Sequence, residues 1–505
     1  MDVTQQRRHA GRDGGAHALG RRALLRGLAA TAGAWTFADT ARALASAQAG
    51  APPASEGMNA TLALARLLTH TGYGDLPAQA VEHAKMILAS TCASAAVGTG
   101  IESARILRDL AKEQGGRAEC QVWFDAMRLP AALAARVNAG LSDAAASDDS
   151  DIRNTAHYGT ALAAAGLALG ERAGVSGRDL LVAMVVGYEA GGRIGAARTG
   201  GPAGLHASQV VAFASAGASA RLLGLSAEQT AQALGIVATT VGGLATGTNS
   251  WAREYMGANA AFAGVEAARV AARGYTVNDD MLATRGGFVD VFGGGASAAS
   301  RLTADLGRSW QIVDFLAIKL WPGAHPFSGT LEAAVAAARQ ANVPAGAVAK
   351  ILVSGQGRAV VGSRRPKDLV EAIHSLPYFV ASAVADRDFT WVHATGAKIA
   401  DPVVQRLMDL VEADPAPPPV NYRWNWGGTV TLVTTSGERF TQTVDAPRGS
   451  APRGIAWSDV EAKYRALMPQ SGLSPRRLDQ ILETIHGLDR EPNVARVARW
   501  LARPA

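Results

Sequence analysis

Apolar positions recur at helical spacing through the first half of the chain, from Thr61 to about Arg285. In the first two segments the residues sharing one face are Leu64, Leu67 and Leu68, then Val81, Ala84, Ile87 and Leu88. Apolar residues three and four positions apart form one stripe on an α-helix, so the pattern predicts successive helices. Alanine and glycine are frequent between them, and small side chains let helices approach closely. We therefore expect a tightly packed helical bundle.

Capping signals mark several helix ends in this region. Ser176 and Ser226 each precede an acceptor side chain three residues later, Asp179 and Gln229 respectively. Such pairs are typical of the capping box at a helix N-terminus. Gly224 fits the C-terminal end of the helix before Ser226.

The pattern changes near Leu302. Short β-like runs occupy 349–354 and 428–434, and the second leads through a Ser-Gly turn into 440–444, which predicts a hairpin. Helical patterns at about 327–341 and 366–385 alternate with these strands. This alternation predicts a smaller α+β unit.

Helices return after a Pro/Gly-rich link at 447–454. Ser458 with Glu461, and Ser474 with Pro475, predict two helix starts there. We expect this C-terminal part to pack on the first helical region.

The predicted fold class is mainly α, with a large all-helical domain and a smaller α+β lid domain. The helical domain is assigned to 56–312 and 452–505, and the lid to 313–451. A chain of 505 residues is longer than one hydrophobic core usually serves, which supports more than one compact unit.

Residues 1–55 are predicted to be a twin-arginine signal peptide with a linker. The stretch Gly20–Arg26 contains an arginine pair, one spacer, two leucines and a further arginine. A weakly apolar segment at 27–37 follows, and small residues at 43–49 suit a signal peptidase. The apolar segment is shorter than the roughly 20 residues of a membrane-spanning helix, which favours cleavage over anchoring. The alternatives are a disordered basic arm and a mitochondrial-type presequence.

Composition excludes several classes of function for the part of the chain that follows the predicted leader. The net charge is +6, but the leader holds a disproportionate share of the arginines, so the charge is no indication of nucleic-acid binding. We identify no credible membrane span after the leader. Cys92 and Cys120 are the only cysteines, which excludes a cysteine-based metal site and allows one disulfide.

Common nucleotide and hydrolase motifs are absent from the sequence. The glycine-rich stretch 187–195 does not match GxGxxG and follows a helical pattern instead of a strand. The sequence also contains no P-loop, no nucleophile elbow and no HExxH.

Four of the ten histidines stand in informative surroundings. His157 closely follows the acidic run Asp148–Asp151, and His206 precedes a long helical pattern. His325 follows a Trp-Pro-Gly turn, and His374 precedes Ser-Leu-Pro-Tyr. Taken singly, each is more often a surface or structural residue than a catalyst, and the acidic run fits a solvated loop or a helix cap equally well.

Their combined order resembles the MmgE/PrpD family, which includes 2-methylcitrate dehydratase, cis-aconitate decarboxylase and iminodisuccinate epimerase. The resemblance extends from about Ala60 to the C-terminus, and no single piece is specific. The matching pieces are Asn138-Ala139-Gly140, Asp148-Asp149, His157, Ser176-Gly177, Val186–Glu189, Gly204-Leu205-His206, Leu222–Ser226, Met256–Ala261, Gly264, Ala267-Ala268, Lys319, Trp321-Pro322 and Ser375–Tyr378.

The resemblance implies the same two-domain fold, a homodimer, and a cleft between the domains for a small di- or tricarboxylate. It implies no metal and no organic cofactor. By carry-over, His157 and His206 are the acid/base candidates, because histidine has a pKa near neutrality. Lys319 is expected to pair with a substrate carboxylate, and Asp149 or Asp151 to orient a histidine or a water, with Asp149 assigned to catalysis and Asp151 to substrate binding.

Several positions depart from the family pattern. Asp143 stands where the family usually has a histidine, Ala146 where its acidic cluster begins, and Ala252 where a lysine is expected. Arg253, beside the last, is a candidate replacement for the lost charge, although a guanidinium is wider and fork-shaped. His325 is a second substrate-binding candidate and a weaker match to the family.

Two functions follow from these observations. The first is a cofactor-independent lyase or isomerase, of dehydratase, decarboxylase or epimerase type, that transfers a proton at carbon next to a carboxylate outside the cytoplasm. The second is a catalytically silent, exported carboxylate-binding relative, which Ala146 and Ala252 favour. Retention of His157, His206 and Lys319 favours the enzyme. The sequence predicts no nucleic-acid partner and no stable membrane insertion after cleavage of the leader.

Overall fold

The computed structural model describes residues 59–355, 365–422 and 424–503; the predicted signal peptide lies outside them. The described helices of the larger, helical part are α1 Ala60–His70, α2 Ala78–Gly98, α3 Glu102–Gln114, α4 Ala131–Ala144, α5 Tyr158–Ala173, α6 Gly177–Arg198, α7 Ser208–Leu222, α8 Ala227–Thr240, α9 Ala252–Ala271, α10 Phe288–Phe292, α11 Ala296–Ala299 and α12 Gln311–Asp314. Three more helices, α18 Trp457–Leu467, α19 Pro475–His486 and α20 Ala495–Leu501, return to this part from the C-terminus.

The smaller part contains α13 Ser328–Ala341, α14 Leu369–Ala372, α15 Leu376–Asp386, α16 Gly396–Ile399 and α17 Pro402–Met408. The strands, in chain order, are β1 Cys120–Gln121, β2 Arg128–Leu129, β3 Asp149–Asp151, β4 Leu316–Ile318, β5 Val348–Gly355, β6 Val411–Ala413, β7 Gly428–Thr434 and β8 Arg439–Val444. The predicted fold class, a large helical domain with a smaller α+β domain, is confirmed. The exact domain boundaries stay a prediction.

The helical domain is built around α6, α7 and α9, which pack side by side. A methyl group added at Gly264 of α9 would lie 2.3 Å from the Ser215 Cβ of α7, so glycine is required where these helices approach. The predicted capping boxes at Ser176 and Ser226 are present. Gly224 has the expected positive φ of 66° after α7.

Two local predictions for helix ends were wrong. Helix α18 begins at Trp457 after Ala456, so Ser458 is inside the helix instead of capping it. The helix expected over 366–385 is two helices, because Pro377 in the first turn of α15 has no N–H to donate to a preceding helical turn. The predicted start at Ser474-Pro475 is correct.

The α+β domain has its own core. Its sheet has the order β6-β5-β7-β8, in which β5 pairs with β6 in parallel and with β7 antiparallel, and β7 pairs antiparallel with β8. Helix α13 covers the sheet and packs on α15. Buried residues of this core include Leu331, Val353, Phe379, Val430 and Leu432. The predicted hairpin β7–β8 is confirmed.

A short antiparallel strand pair joins the two parts. Strand β3 pairs with β4 so that Asp149 lies opposite Ile318 and Asp151 opposite Leu316. Because the strands run in opposite directions, Asp148, before β3, meets Lys319, after β4, and the Lys319 amide donates to the Asp148 carbonyl at 3.0 Å. This pairing places residues far apart in sequence at one point.

Helix α6 is long and apolar enough to span a membrane by length and composition. The structure buries 94% of its most apolar window inside the protein, as expected for a central helix of a helical domain. Cys92 and Cys120 are both buried and free. The disulfide that the sequence allowed is therefore not formed.

Candidate active site

The Asp148–Lys319 pair lies at the base of the site. The Lys319 ammonium donates to Asp148 Oδ1 at 2.6 Å, and the Thr160 hydroxyl donates to Asp148 Oδ2 at 2.9 Å. Lys319 is 3% exposed and Asp148 is fully buried. Each charge is thus neutralised in the interior, where an isolated charge would be costly.

His157 precedes α5 and is held by the backbone of β3. Its Nδ1 lies 2.5 Å from the Asp149 carbonyl oxygen, which can only accept, so Nδ1 carries the proton and Nε2 has a free lone pair. Burial lowers the pKa of His157 to about 3. Its 3.7 Å contact with Asp148 is therefore not an ion pair near neutrality.

His206, just before α7, is held in the opposite tautomer. Its Nδ1 accepts from the Ser208 amide at 3.1 Å, which leaves the proton on Nε2. The Ser208 hydroxyl lies 2.9 Å from the same nitrogen. Burial, with the nearby Arg253 and Arg198, lowers the pKa of His206 to about 4. The backbone thus presents a lone pair on His157 and an N–H on His206.

Arg253 enters the site from the first turn of α9. It donates to Asp143 Oδ1 at 3.1 Å and to the Ala144 carbonyl at 3.3 Å. Its Nε has no partner among the described residues. Burial raises the pKa of Asp143, and Arg253 opposes that shift. Asp143, where the family usually has a histidine, anchors this guanidinium here.

Two histidines come from the α+β domain. His374 Nδ1 donates to the Val370 carbonyl at 2.9 Å, which leaves its Nε2 as an acceptor. The His325 ring packs against Trp426 at 5.0 Å between centroids, and its Nδ1 has no partner in the described part of the chain. Burial lowers the pKa of His374 to about 4 and that of His325 well below its ordinary value.

These side chains line one cavity of about 230 Å³, which we call the central cavity. Both domains contribute to its wall. Its polar and charged lining residues are Ser150, Asn154, Thr155, His157, Arg198, His206, Thr248, Arg253, Lys319, His325 and His374. No carboxylate is among the described lining residues, so the cavity is suited to an anion.

Two predicted site residues turn away from the cavity. Both oxygens of the Asp149 carboxylate accept from the Gly159 amide at 3.0 Å, so Asp149 caps the start of α5. Asp151 pairs with Arg153 at 2.5 Å. Alternate residues of a strand face opposite sides, so Ser150 lines the cavity while Asp149 and Asp151 do not. Asp149 reaches the site only through its carbonyl oxygen.

Lys463, from α18, is a neighbour of the site that sequence reasoning missed. Its ammonium donates to the Ser90 hydroxyl at 2.7 Å and to the Ser147 carbonyl, directly before Asp148. Burial lowers its pKa to about 7. Arg198 was also missed, because nothing in the sequence distinguishes it from other arginines at helix ends.

Asp143, Asp148 and His157 bring potential metal-ligand atoms within 4.8 Å of one another. Asp143 and Asp148 are each already paired with a cationic side chain, Arg253 and Lys319 respectively. That neutralisation leaves little electrostatic attraction for a cation. We therefore assign no metal to this group.

Two models of one protein family match the chain. Residues 62–301 match the MmgE/PrpD N-terminal domain, and residues 322–486 match the MmgE/PrpD C-terminal domain. This chain belongs to the MmgE/PrpD family. The resemblance found from the sequence is confirmed.

Named relatives of this family member are decarboxylases or are described as decarboxylase-like. Cis-aconitate decarboxylase-like protein oryM of Aspergillus oryzae is 31% identical over 297 residues, which cover 54% of this chain and 61% of the relative. Human cis-aconitate decarboxylase is 26% identical over 417 residues, covering 78% of this chain and 84% of the relative. The mouse protein of the same name is 26% identical over 412 residues, which cover 76% of this chain and 82% of the relative. These relatives support an enzyme of lyase type.

Proposed function

We propose that this family member is a cofactor-independent lyase that acts on a small di- or tricarboxylate by decarboxylation or dehydration. The observation that carries the proposal is the pair of histidines with opposite tautomers in one cationic cavity, His157 with a lone pair and His206 with an N–H. A base and an acid on one substrate are what proton transfer at carbon requires. The names of the relatives favour decarboxylation.

Substrate carboxylates are expected to bind Lys319, Arg253 and Arg198. All three line the central cavity. Lys319 and Arg253 keep their aspartate partners, so a bound carboxylate shares each cation instead of replacing the buried acid. The fork of Arg253 can present two donors to one carboxylate.

In decarboxylation, the bond from carbon to one carboxylate breaks and carbon dioxide leaves. The electron pair remains on the adjacent carbon, delocalised into the unsaturated acid, and Lys319 and Arg253 stabilise the charge. His206, protonated in the complex because the bound polyanion raises its pKa, then delivers its Nε2 proton to carbon and is left neutral. In dehydration, His157 Nε2 takes the proton from carbon, and the hydroxyl group leaves as water with the Nε2 proton of the protonated His206.

A bound polyanion also adjusts the histidines. Burial lowers the pKa of His157 to about 3, which makes it a weak base. Carboxylates placed beside it favour the protonated form and raise that pKa towards neutrality. The base becomes effective only with its substrate in place.

The test is proton NMR of the purified chain with cis-aconitate and a panel of saturated and hydroxylated di- and tricarboxylates in deuterated buffer. For decarboxylation we expect loss of carbon dioxide with one deuterium entering the product at carbon, abolished by His206→Ala. For dehydration we expect loss of water without deuterium entering at carbon, abolished by His157→Ala. Deuterium exchange with neither loss would indicate the isomerase alternative. Binding with neither loss nor exchange would contradict the proposal and support the silent carboxylate-binding relative.

We also propose that residues 1–55 direct export by the twin-arginine route and that the mature protein is a homodimer, as the sequence suggested. Fusing 1–55 to a reporter and changing Arg21 and Arg22 to lysine tests the first. Export that persists unchanged would exclude that route. Sedimentation velocity of the mature protein tests the second.

A further inference from the structure

A second cavity of about 270 Å³ lies back to back with the central cavity. Neighbouring residues of the same segments line the two cavities. Ala146 and Arg253 face the central cavity, whereas Ser147 and Glu254 face the second one. Likewise, His374 faces the central cavity and Ile373 faces the second one. The two cavities therefore share walls.

The second cavity has the opposite chemistry to the first. Its walls are mainly apolar and include Val97, Ile101, Trp251, Pro322, Leu369, Trp391 and Leu467. Among the described lining residues, the only charged side chains are Glu254 and Asp368. An apolar cavity with only acidic charges suits an apolar molecule that carries a positive charge.

Glu254 is the buried one of the two acidic side chains that line the second cavity. The residue is 3% exposed, and its Oε2 is buried with no hydrogen-bond partner among the described residues. The nearest cation is Arg253, whose Nη2 lies 3.7 Å away and which donates to Asp143 instead. Lys463 is committed to Ser147 and is not a lining residue. A buried carboxylate oxygen without a donor is costly, and a ligand donor would relieve it.

We infer that the second cavity binds a small apolar organic cation, an aryl- or alkylammonium ion, with its ammonium group at Glu254. Trp251 provides aromatic surface in the same cavity, and aromatic faces attract ammonium groups. The Trp391 ring already faces the Lys463 ammonium, 5.8 Å from its centroid, and contributes apolar surface. Asp368 stands at the exposed rim, where its carboxylate already accepts from the Glu371 amide at 2.9 Å. Glu254 is therefore the anchor, and Asp368 contributes only long-range attraction.

The site is tested on the full chain by calorimetric titration with benzylammonium, with benzyl alcohol as the neutral probe and benzoate as the anionic probe. We expect saturable binding of one benzylammonium per chain, with both other probes weaker by about tenfold or more, since a charge-assisted bond is lost. Equal affinity for benzyl alcohol, or no saturation by benzylammonium at millimolar concentration, would overturn the inference.

Variants locate the ligand. Glu254→Gln should weaken benzylammonium by about tenfold or more, and the rim control Asp368→Asn by only about twofold, since exposed charges contribute little. Leu369→Trp, at a position 36% exposed, should fill the cavity without disturbing the core and abolish binding. If Glu254→Gln does not fold, the Leu369→Trp variant shows whether benzylammonium binds in this cavity, and the comparison with benzyl alcohol shows whether its charge contributes. Unchanged affinity for benzylammonium in either folded variant would show that this cavity is not the binding site. If Leu369→Trp instead dissociates a dimer of the chain, the cavity is covered by a second copy of the chain and not by a small cation.

A consequence follows for the central cavity, and it rests on the proposed function. A cation at Glu254 neutralises the carboxylate that lies 3.7 Å from Arg253 Nη2, so the positive potential of Arg253 in the central cavity increases. Benzylammonium should then tighten the binding of tricarballylate by about fivefold, and tricarballylate that of benzylammonium equally. No tricarballylate binding at all would count against the proposed function alone, whereas binding of both without coupling would remove this consequence.

Discussion

The two domains contribute to the central cavity in different ways. On the helical side, the tautomers of His157 and His206 are set by backbone groups, the Asp149 carbonyl and the Ser208 amide. On the α+β side, His374 Nδ1 donates to the Val370 carbonyl, and His325 Nδ1 has no partner within the described ranges of the chain. The comparison teaches that backbone groups fix both ring tautomers on the helical wall, whereas on the α+β wall they fix only that of His374. On the proposed function, the helical wall supplies the acid and the base, and the other wall encloses the substrate.

The largest expected effect tests this division directly. His206→Ala should lower kcat/KM by about a hundredfold to ten-thousandfold, because it removes the proton donor of both proposed reactions. His374→Gln should lower it by at most about tenfold, the equivalent of one neutral hydrogen bond. Steady-state kinetics on the substrate found by NMR gives both values. A loss in His374→Gln as large as that in His206→Ala would break the comparison.

The strand pair that connects the walls is tested by Lys319→Met. This change leaves the Asp148 carboxylate buried without its cation, and we expect a loss of about 3–5 kcal/mol in the free energy of unfolding. Urea unfolding measures it. The double variant Lys319→Met with Asp148→Asn should recover most of the loss. If the double variant is no more stable than the single one, the pair does not act as a unit.

The rigidity of the helical wall is tested by Gly159→Ala. The added methyl group would lie 2.6 Å from both Asp149 Oδ1 and Ile87 Cγ2, so we expect about 1–3 kcal/mol of destabilisation and a displaced His157. Gly396→Ala is the matched control, because nothing lies within 4 Å of its added methyl group. Thermal unfolding compares the two. Equal melting temperatures would show that α5 can move away from β3 at little cost.

The smallest effect concerns pH. Burial lowers the pKa of His206 to about 4, whereas the unfolded value is near 6.5. A bound polyanion raises this pKa, so the complex takes up protons and affinity increases as the pH falls from neutrality towards about 4. Histidine NMR titration with and without tricarballylate measures the shift. His206→Gln corrects for titration of the ligand, and an affinity difference between the two proteins that does not vary with pH would contradict the assignment.

Much of the helical architecture could be predicted, because it depends on local signals. The capping boxes at Ser176 and Ser226 and the hairpin over 428–444 follow from residues a few positions apart. The three-residue strand Asp149–Asp151 has too little periodicity to be recognised, so the opposite orientations of Ser150 and its neighbours could not be predicted. That single omission accounts for the placement of Asp149 and Asp151 in the predicted site.

The sequence by itself determined the family, the fold class and five residues that line the central cavity: His157, His206, Arg253, Lys319 and His325. Ordered motifs carry that information because each residue type is tied to its chemistry. Only the tertiary structure decided the remaining features. These are the tautomers of His157 and His206, the Asp143–Arg253 ion pair, the hydrogen bond from Lys463 to the Ser147 carbonyl, and the second cavity with its acidic side chains. The physical reason is that hydrogen-bond partners and burial arise from long-range contacts, such as the pairing of β3 with β4, which no local spacing encodes.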